Sequence, residues 1–325
     1  MPELPEVETT VRDLRPHLIG RTIQRARVTW ERTVAQPHAK QFTREIVGYK
    51  IIGINRRGKY LVFELESKQT IDHRRRTADD GRNSRESAAA YQIANQKHVP
   101  NERAGAQIKN QKFLLVHLRM TGQFGFHAPR VKRDKHQHVH LLLDDGRELR
   151  FHDFRKFGRW WLVDKPEQVI GKLGPEPLEM SKKEFLARLR ARRGHIKPLL
   201  LNQTFVAGVG NIYADESLWY AKIHPLRDAT TLTNKEASDL YNAIRRVFRK
   251  AIGVGGTSFD ATYKRINGES GAFQEKLRVV GRAGEPCYRC GAPIVKTVVG
   301  QRGTYYCPSC QRIERMQGTG KQVNK

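Results

Sequence analysis

The sequence predicts an α+β multidomain protein, with a β-sandwich or barrel-like layer and flanking helices first, a compact helical domain next, and a four-cysteine module last. Three observations carry this. Residues 1 to about 165 contain several runs that alternate apolar and polar side chains at period 2, as strands with one buried face do. From about 175 to 255 the apolar spacing becomes helical. All four cysteines fall between 287 and 310, as two C-x-x-C pairs with 16 residues between them, which is metal-ligand spacing rather than a scattered disulfide framework.

The opening "ELPEVETTVRDLRPHL" sets Val7, Val11, Leu14 and Leu18 at helical spacing. Acids in its first turn suit a helix N-terminus, which is the reading for Glu6 and Glu8. Strands are expected in "YKIIGINRRGKYLVFELE", "KFLLVHLRM", "HVHLLLDDGRELRFHDF" and "RWWLV", with "DDG" at 144 to 146 as a hairpin turn. Residues 67 to 111 offer only Ile71, Ile93, Val99 and Ile108 as large aliphatics, too few to offset the entropy of ordering that stretch. It is expected to be a disordered insertion joining adjacent strands, with "HRRR" at 73 to 76 the one hint of a basic arm.

Helices are expected in "SKKEFLARLRARRG", "IKPLLLNQ", "NIYADESLWYAKI" and "NKEASDLYNAIRRVFRKAI". In "FVAGVGNIYADE", Gly208, Gly210 and Asn211 form a tight turn into a helix, whose bare N–H groups could close on a phosphate. A plain helical-hairpin turn is the alternative. A dinucleotide fingerprint is excluded, because Tyr213 stands where the third glycine belongs. Cys287, Cys290, Cys307 and Cys310 fit one structural Zn2+ with no open coordination position. "TVVGQRGTYYC" would be the hairpin between the pairs, presenting Arg302 at its tip. The domains so read are 1–165, 166–255 and 256–314, followed by a tail at 315–325 whose end is expected to be disordered.

Sixty Lys+Arg against 33 Asp+Glu give the 325 residues a net charge of +27. Such an excess seeks a polyanion, nucleic acid before anionic lipid. No apolar run approaches the ~18 to 20 residues of a membrane span, and the first 30 residues lack a signal core, so a soluble intracellular protein is expected.

Six motifs then occur in one order: PELPEVET, "RRGKY" at 56 to 60, "HLRMTG" at 117 to 122, "DFRKFG" at 153 to 158, "VAGVGNIYADE" and the C-x-x-C pairs. Together they closely resemble the bacterial formamidopyrimidine-DNA glycosylase family, repair enzymes that remove 8-oxoguanine and ring-opened purines. The resemblance covers nearly the whole chain except 67 to 111 and the last ten or so residues. It implies an N-terminal β-sandwich, a helix-two-turn-helix domain and a zinc finger, with double-stranded DNA in the cleft between them. It further implies a monomeric glycosylase and abasic-site lyase of the bacterial cytoplasm and nucleoid, working through an N-terminal proline iminium and β,δ-elimination.

The residues support that chemistry. A free α-amine has a pKa of ~7.7 to 8.0 against ~10.4 for lysine, so near neutrality it is the better nucleophile. If Met1 is removed, Pro2 offers a secondary amine whose adduct at C1′ is a cationic iminium, an electron sink. By resemblance Glu3 is the acid and base of sugar-ring opening, Lys59 acts at β-elimination and on phosphate, and Arg302 binds the flanking phosphate and assists δ-elimination. Met120, Arg155 and Phe157 match the three probes that fill the gap left by the extruded nucleotide. His136, Arg192, Lys197 and Asn211 fall where the family holds phosphates, Arg192 at a lysine position. "GESGAFQEK" at 268 to 276 resembles the loop that caps the flipped base, with Ala272 where an aromatic is common. The competing readings are an endonuclease VIII-like enzyme for oxidised pyrimidines and a non-catalytic zinc-finger DNA-binding protein.

Overall fold

The computed structural model describes residues 2–67, 111–258 and 263–313. The disorder expected between 67 and 111 and at the end of the 315–325 tail therefore lies outside the described residues. Helix α1 (Leu4–Leu18) buries Val7, Val11, Leu14 and Leu18 completely or nearly so. Each such side chain contributes ~1.5 to 3 kcal/mol relative to exposure. These four enter the sandwich core, while Leu4 at the helix start enters the core of the helical domain. One helix thus ties the two halves together.

The N-terminal part is a sandwich of two sheets. Its strands are β1 (Ile23–Val28), β2 (Val34–Gln36), β3 (Tyr49–Arg57), β4 (Tyr60–Ser67), β5 (Gln111–His117), β6 (Gln123–His127), β7 (Gln137–Leu143), β8 (Glu148–His152) and β9 (Arg159–Val163), with α2 (Ala39–Glu45) after β2. One sheet runs β2-β9-β5-β4-β3 and the other β1-β7-β8-β6. Strands β4 and β5 are antiparallel neighbours, with Tyr60 opposite His117 and Glu66 opposite Gln111. The stretch between them joins the ends of adjacent strands, as expected. The sequence pattern missed β1, β2 and β6. In β1, "IQRARV", only Ile23 is fully buried, and β2 has three residues, so neither carries a full apolar alternation.

After a short α3 (Glu167–Ile170) come α4 (Lys182–Arg190), α5 (Ile196–Leu201), α6 (Asn211–Ala221) and α7 (Asn234–Gly253), then the finger hairpin β10 (Val295–Val299) and β11 (Arg302–Tyr306). Ser181 caps α4 by accepting from Glu184 N, and Thr233 with Glu236 forms a reciprocal capping box on α7. The helical core is continuous with the finger: Tyr213, Leu218, Phe248 and Val279 belong to the same cluster as Ile294, Cys287 and Cys307. The zinc module therefore leans on a shared core.

Glu216 of α6 locks the two together. It is fully buried, and its carboxylate accepts from the backbone N–H groups of Arg278 (2.9 and 3.0 Å), Val279 (3.0 Å) and Val280 (3.1 Å). Burial nevertheless pushes its pKa up to about 7. A raised folded pKa means that the folded state holds the proton more tightly than the unfolded chain. The stability this confers is complete below the ordinary carboxylate range and is lost as pH rises through about 7. Urea midpoints are therefore expected to fall from pH 5 to pH 8, and Glu216→Gln is expected to flatten that fall; an unchanged slope would remove Glu216 as its source.

Candidate active site

Glu3 is the N-cap residue of α1 and only 2 % exposed. Its Oε1 accepts from Ile212 N at 3.0 Å, so the carboxylate docks on the first turn of α6. Two glycines permit this approach. A Cβ on Gly210 would lie 2.2 Å from Glu3 Cδ, and one on Gly208 (φ +88°) would lie 2.6 Å from Leu4 Cδ1. The turn that the sequence offered to a phosphate is therefore filled from within by α1. Burial raises Glu3 to about 7, with Lys59 and the Ile212 N–H opposing and Glu6 assisting. Its Oε2 is buried without a hydrogen-bond partner. Pro2 precedes it and is buried.

Glu6 does more than favour a helix start. It accepts from Glu3 N (2.8 Å), Thr257 N (2.8 Å) and the Tyr213 hydroxyl, joining α1, α6 and the base of the 258–272 segment. The periodicity of α1 shows only that position 6 lies in the first turn, so this role was not legible in it.

Lys59 occupies the two-residue turn between β3 and β4, is 6 % exposed, and has its pKa lowered by burial against the pull of Glu3 and Glu6. Its turn is pinned by Glu176, a residue the sequence did not single out. Glu176 accepts from Gly58 N (2.6 Å), Arg56 (2.7 Å) and Arg57 (3.1 Å). Arg56 also pairs with Glu8 at 3.0 Å, giving that acid a partner beyond its own helix.

Met120, Arg155 and Phe157 are exposed and lie on two loops held side by side. Arg155 donates to Met120 Sδ at 3.2 Å. Asp153 ties the loops by accepting from the Thr121 hydroxyl and from Gly158 N (2.6 Å). Gly122 and Gly158 let both loops close over Phe151, whose Cζ would be 2.6 and 2.5 Å from a Cβ at those positions. His136 enters β7 beside them, its backbone O accepting from Asp153 N at 2.8 Å.

The finger hairpin brings Arg302, exposed, to the same place. Arg302 is near enough to depress the pKa of both Lys59 and Lys197. Lys197 corrects an expectation: its Nζ, enclosed in the interior, donates to Gly303 O (3.0 Å) and the Thr304 hydroxyl (2.6 Å) and pairs with Asp215 at 2.7 Å. Its donors are spent on the hairpin that carries Arg302, so in this structure it holds that hairpin rather than a phosphate. Burial pushes Asp215 up to about 6 despite Lys197. Asn211 likewise donates to Gly303 O (2.9 Å), while its Oδ1 is buried without a partner. Arg192 lies exposed just beyond α4.

The sulfurs of Cys287, Cys290, Cys307 and Cys310 all lie within 4.8 Å of one another. A tetrahedral zinc with ligands at ~2.3 Å requires sulfurs about 3.8 Å apart, so the set fits. Trp219 Nε1, Arg289 N and Cys310 N donate to these sulfurs at 3.4 Å, as suits thiolates. One structural Zn2+ is the cofactor these residues hold.

Comparisons with known proteins agree with this arrangement. Residues 1–160 match the family described as Formamidopyrimidine-DNA glycosylase N-terminal domain, 173–262 the Formamidopyrimidine-DNA glycosylase H2TH domain, and 284–313 the zinc finger found in FPG and IleRS. The formamidopyrimidine-DNA glycosylase of Herpetosiphon aurantiacus is 42 % identical over 316 residues, covering 96 % of this chain and all of the relative. That of Enterococcus faecalis is 40 % identical, covering 97 % and 98 %. A Lactococcus lactis FPG mutant bound to Fapy-dG DNA superposes with a TM-score of 0.77 at 36 % identity, covering 96 % of this chain and all of that one. MutM bound to DNA with carbocyclic 8-oxo-G does so at 0.76, with the same identity and coverage.

Removing Glu176 would take the acceptor from the Gly58 N–H and the carboxylate partner from Arg57, and would leave the buried Arg56 with Glu8 alone. Glu176→Ala is expected to cost ~1 to 3 kcal/mol of stability in urea titration and, by displacing Lys59, ~10- to 100-fold in excision rate. An excision rate within twofold of the parent would show that the turn does not depend on it.

Proposed function

The chain belongs to the formamidopyrimidine-DNA glycosylase family, DNA-repair glycosylases for oxidised purines with abasic-site lyase activity, and on that premise we propose that its nucleophile is the amine of Pro2, freed by removal of Met1. The amine attacks C1′ of the damaged nucleotide as the glycosidic bond breaks and the base departs with its electron pair and a proton. The amine then gives up its own proton, C1′ becomes a cationic iminium carbon, and the C1′–O4′ bond opens. Glu3 supplies the proton that O4′ takes up, which requires a carboxyl still protonated near neutrality. Loss of the acidified C2′ proton expels the 3′ phosphate, and a second elimination expels the 5′ phosphate.

One observation carries this reading: a buried carboxyl raised to about 7 stands next to Pro2, at the start of a helix whose approach is free of side chains. Lys59 assists β-elimination from its pinned turn, and Arg302 holds the flanking phosphate. Met120, Arg155 and Phe157 fill the space vacated by the flipped nucleotide, with Arg155 facing the orphaned cytosine. His136, Arg192 and Asn211 bind the backbone of double-stranded DNA, and Lys197 positions the finger. The domains divide at 1–165, 166–255 and 256–314. The enzyme acts as a monomer in the bacterial cytoplasm and nucleoid. No helix among the described residues is long and apolar enough to cross a membrane.

Borohydride reduction with a duplex carrying 8-oxoguanine opposite cytosine is expected to trap a covalent adduct that maps to Pro2. An adduct at a lysine would overturn the assignment. The amine must be free, above ~8, and Glu3 protonated, below about 7. Single-turnover excision is therefore expected to be bell-shaped in pH, with a maximum between those values. Glu3→Gln is expected to slow it by ~10²-fold or more and to leave a residual rate that rises to a plateau instead of falling on the alkaline side; a retained alkaline limb would assign that limb to another group.

A further inference from the structure

Opposite the end of α6 that meets Glu3, a second concentration of positive charge faces outward. Trp219 and Tyr220 pack edge to face at 4.9 Å at the end of α6. Arg246 and Lys250 of α7 stand over the Tyr220 ring at 5.0 and 5.9 Å, and Arg289 of the first zinc knuckle stands over Trp219 at 4.1 Å. Arg249 shares this face of α7 by its i, i+3 relation to Arg246. All four cations are exposed. Among the described residues none of them forms an ion pair with a carboxylate. The surface continues to Tyr288, flanked by Arg278 at 4.9 Å and Arg282 at 3.7 Å, of which only Arg282 is answered, by Glu285 at 2.8 Å.

A simpler reading covers only part of this. Arg289 donates to Trp219 O at 3.2 Å and so caps the end of α6. Arg246, Arg249 and Lys250 have no such occupation, and like charges on one helix face are mutually unfavourable unless something compensates them. Stacking on aromatic rings fixes cations in place without neutralising them, and it leaves the N–H edges of a guanidinium turned outward. That is the chemistry of phosphate recognition. The patch lies at the other end of α6 from the cleft. Asn211 at the start of α6 bonds the carbonyl beside Arg302, and Tyr220 lies nine residues further along, ~13 Å at 1.5 Å per residue.

We propose that this face is a second DNA-binding surface, which grips the phosphate backbone of a duplex segment other than the one in the cleft. It allows direct transfer from one segment to another through a ternary complex, and it does not depend on Pro2 being the nucleophile.

The full-length zinc-loaded protein is placed on a fluorescent duplex containing a tetrahydrofuran abasic-site analogue and chased with unlabelled undamaged duplex. The dissociation rate is expected to rise linearly with chase concentration. In R246E/R249E/K250E the slope is expected to fall at least fivefold, while dissociation into buffer and single-turnover excision of 8-oxoguanine stay within twofold of the parent. R246Q/R249Q/K250Q, which removes the charge without adding repulsion, is expected to lose the slope likewise. A parent protein without a slope, or variants that keep it, would overturn the proposal. Equal acceleration by polyglutamate of matched charge would also overturn it, in favour of an acidic protein as the partner.

Discussion

The close docking of Glu3 on the first turn of α6 is the contact on which the site depends. Helix α1 belongs to the sandwich through Val7, Val11, Leu14 and Leu18, yet its first residues are held by the helical domain through Leu4, Glu3 and Glu6. The N-terminus is consequently fixed at the junction of the two cores rather than left to fray, which is the usual fate of a chain end. Glycine at 208 and 210 is the steric condition for this. Any side chain at 210 would displace the carboxylate, and any at 208 would both displace Leu4 and strain a backbone at φ +88°.

The same docking explains the electrostatics. A carboxylate at a helix N-terminus would ordinarily be stabilised in its charged form. At Glu3 burial outweighs that contribution and the nearby Lys59 charge, so the proton is retained to about 7. Lys59 experiences the reciprocal effect: burial lowers it while Glu3 and Glu6 pull it back. Removal of water thus shifts two buried groups of opposite charge toward their neutral forms, Glu3 up to about 7 and Lys59 downward. The buried Lys197–Asp215 pair is shifted the same way, Asp215 up to about 6 and Lys197 downward. Both groups have additional hydrogen-bond partners on the finger hairpin, at Gly303, Thr304 and Tyr305. These bonds tie the pair to the hairpin that carries Arg302.

Much of this could be read from the residue string, for identifiable reasons. Long amphipathic segments such as α1 and α7, the β3–β4 and β7–β8 hairpins, and the cysteine spacing all encode their structure locally. What was missed is non-local. Strand β1 alternates too weakly to be seen and becomes a strand by pairing Val28 with Val139 and Ala26 with Leu141 of β7. Glu176 sits in an irregular connection between domains, and its value lies in two arginines more than a hundred residues earlier. The resemblance sets Lys197 where the family holds a phosphate, and "IKP" says nothing of Asp215 and Thr304 closing around it. The glycines were recognised as a turn, but the group they admit comes from the other end of the chain.

The same topology accounts for how the family's frame tolerates the long stretch between β4 and β5. Lys59 and His117 lie at one end of this strand pair, where Tyr60 faces His117, while the connection leaves from the other end, where Glu66 faces Gln111. At ~3.3 Å per residue, seven residues of β4 separate Lys59 from the exit point by roughly 23 Å. The exit point is therefore remote from the Lys59 turn that Glu176 pins and from the loops that Asp153 ties. Closing a longer loop between strands already paired costs only ~0.6 kcal/mol for each doubling of its length. Extra chain at this end can thus be accepted at little thermodynamic cost, whereas a single Cβ added at residue 210 cannot be accommodated where it stands.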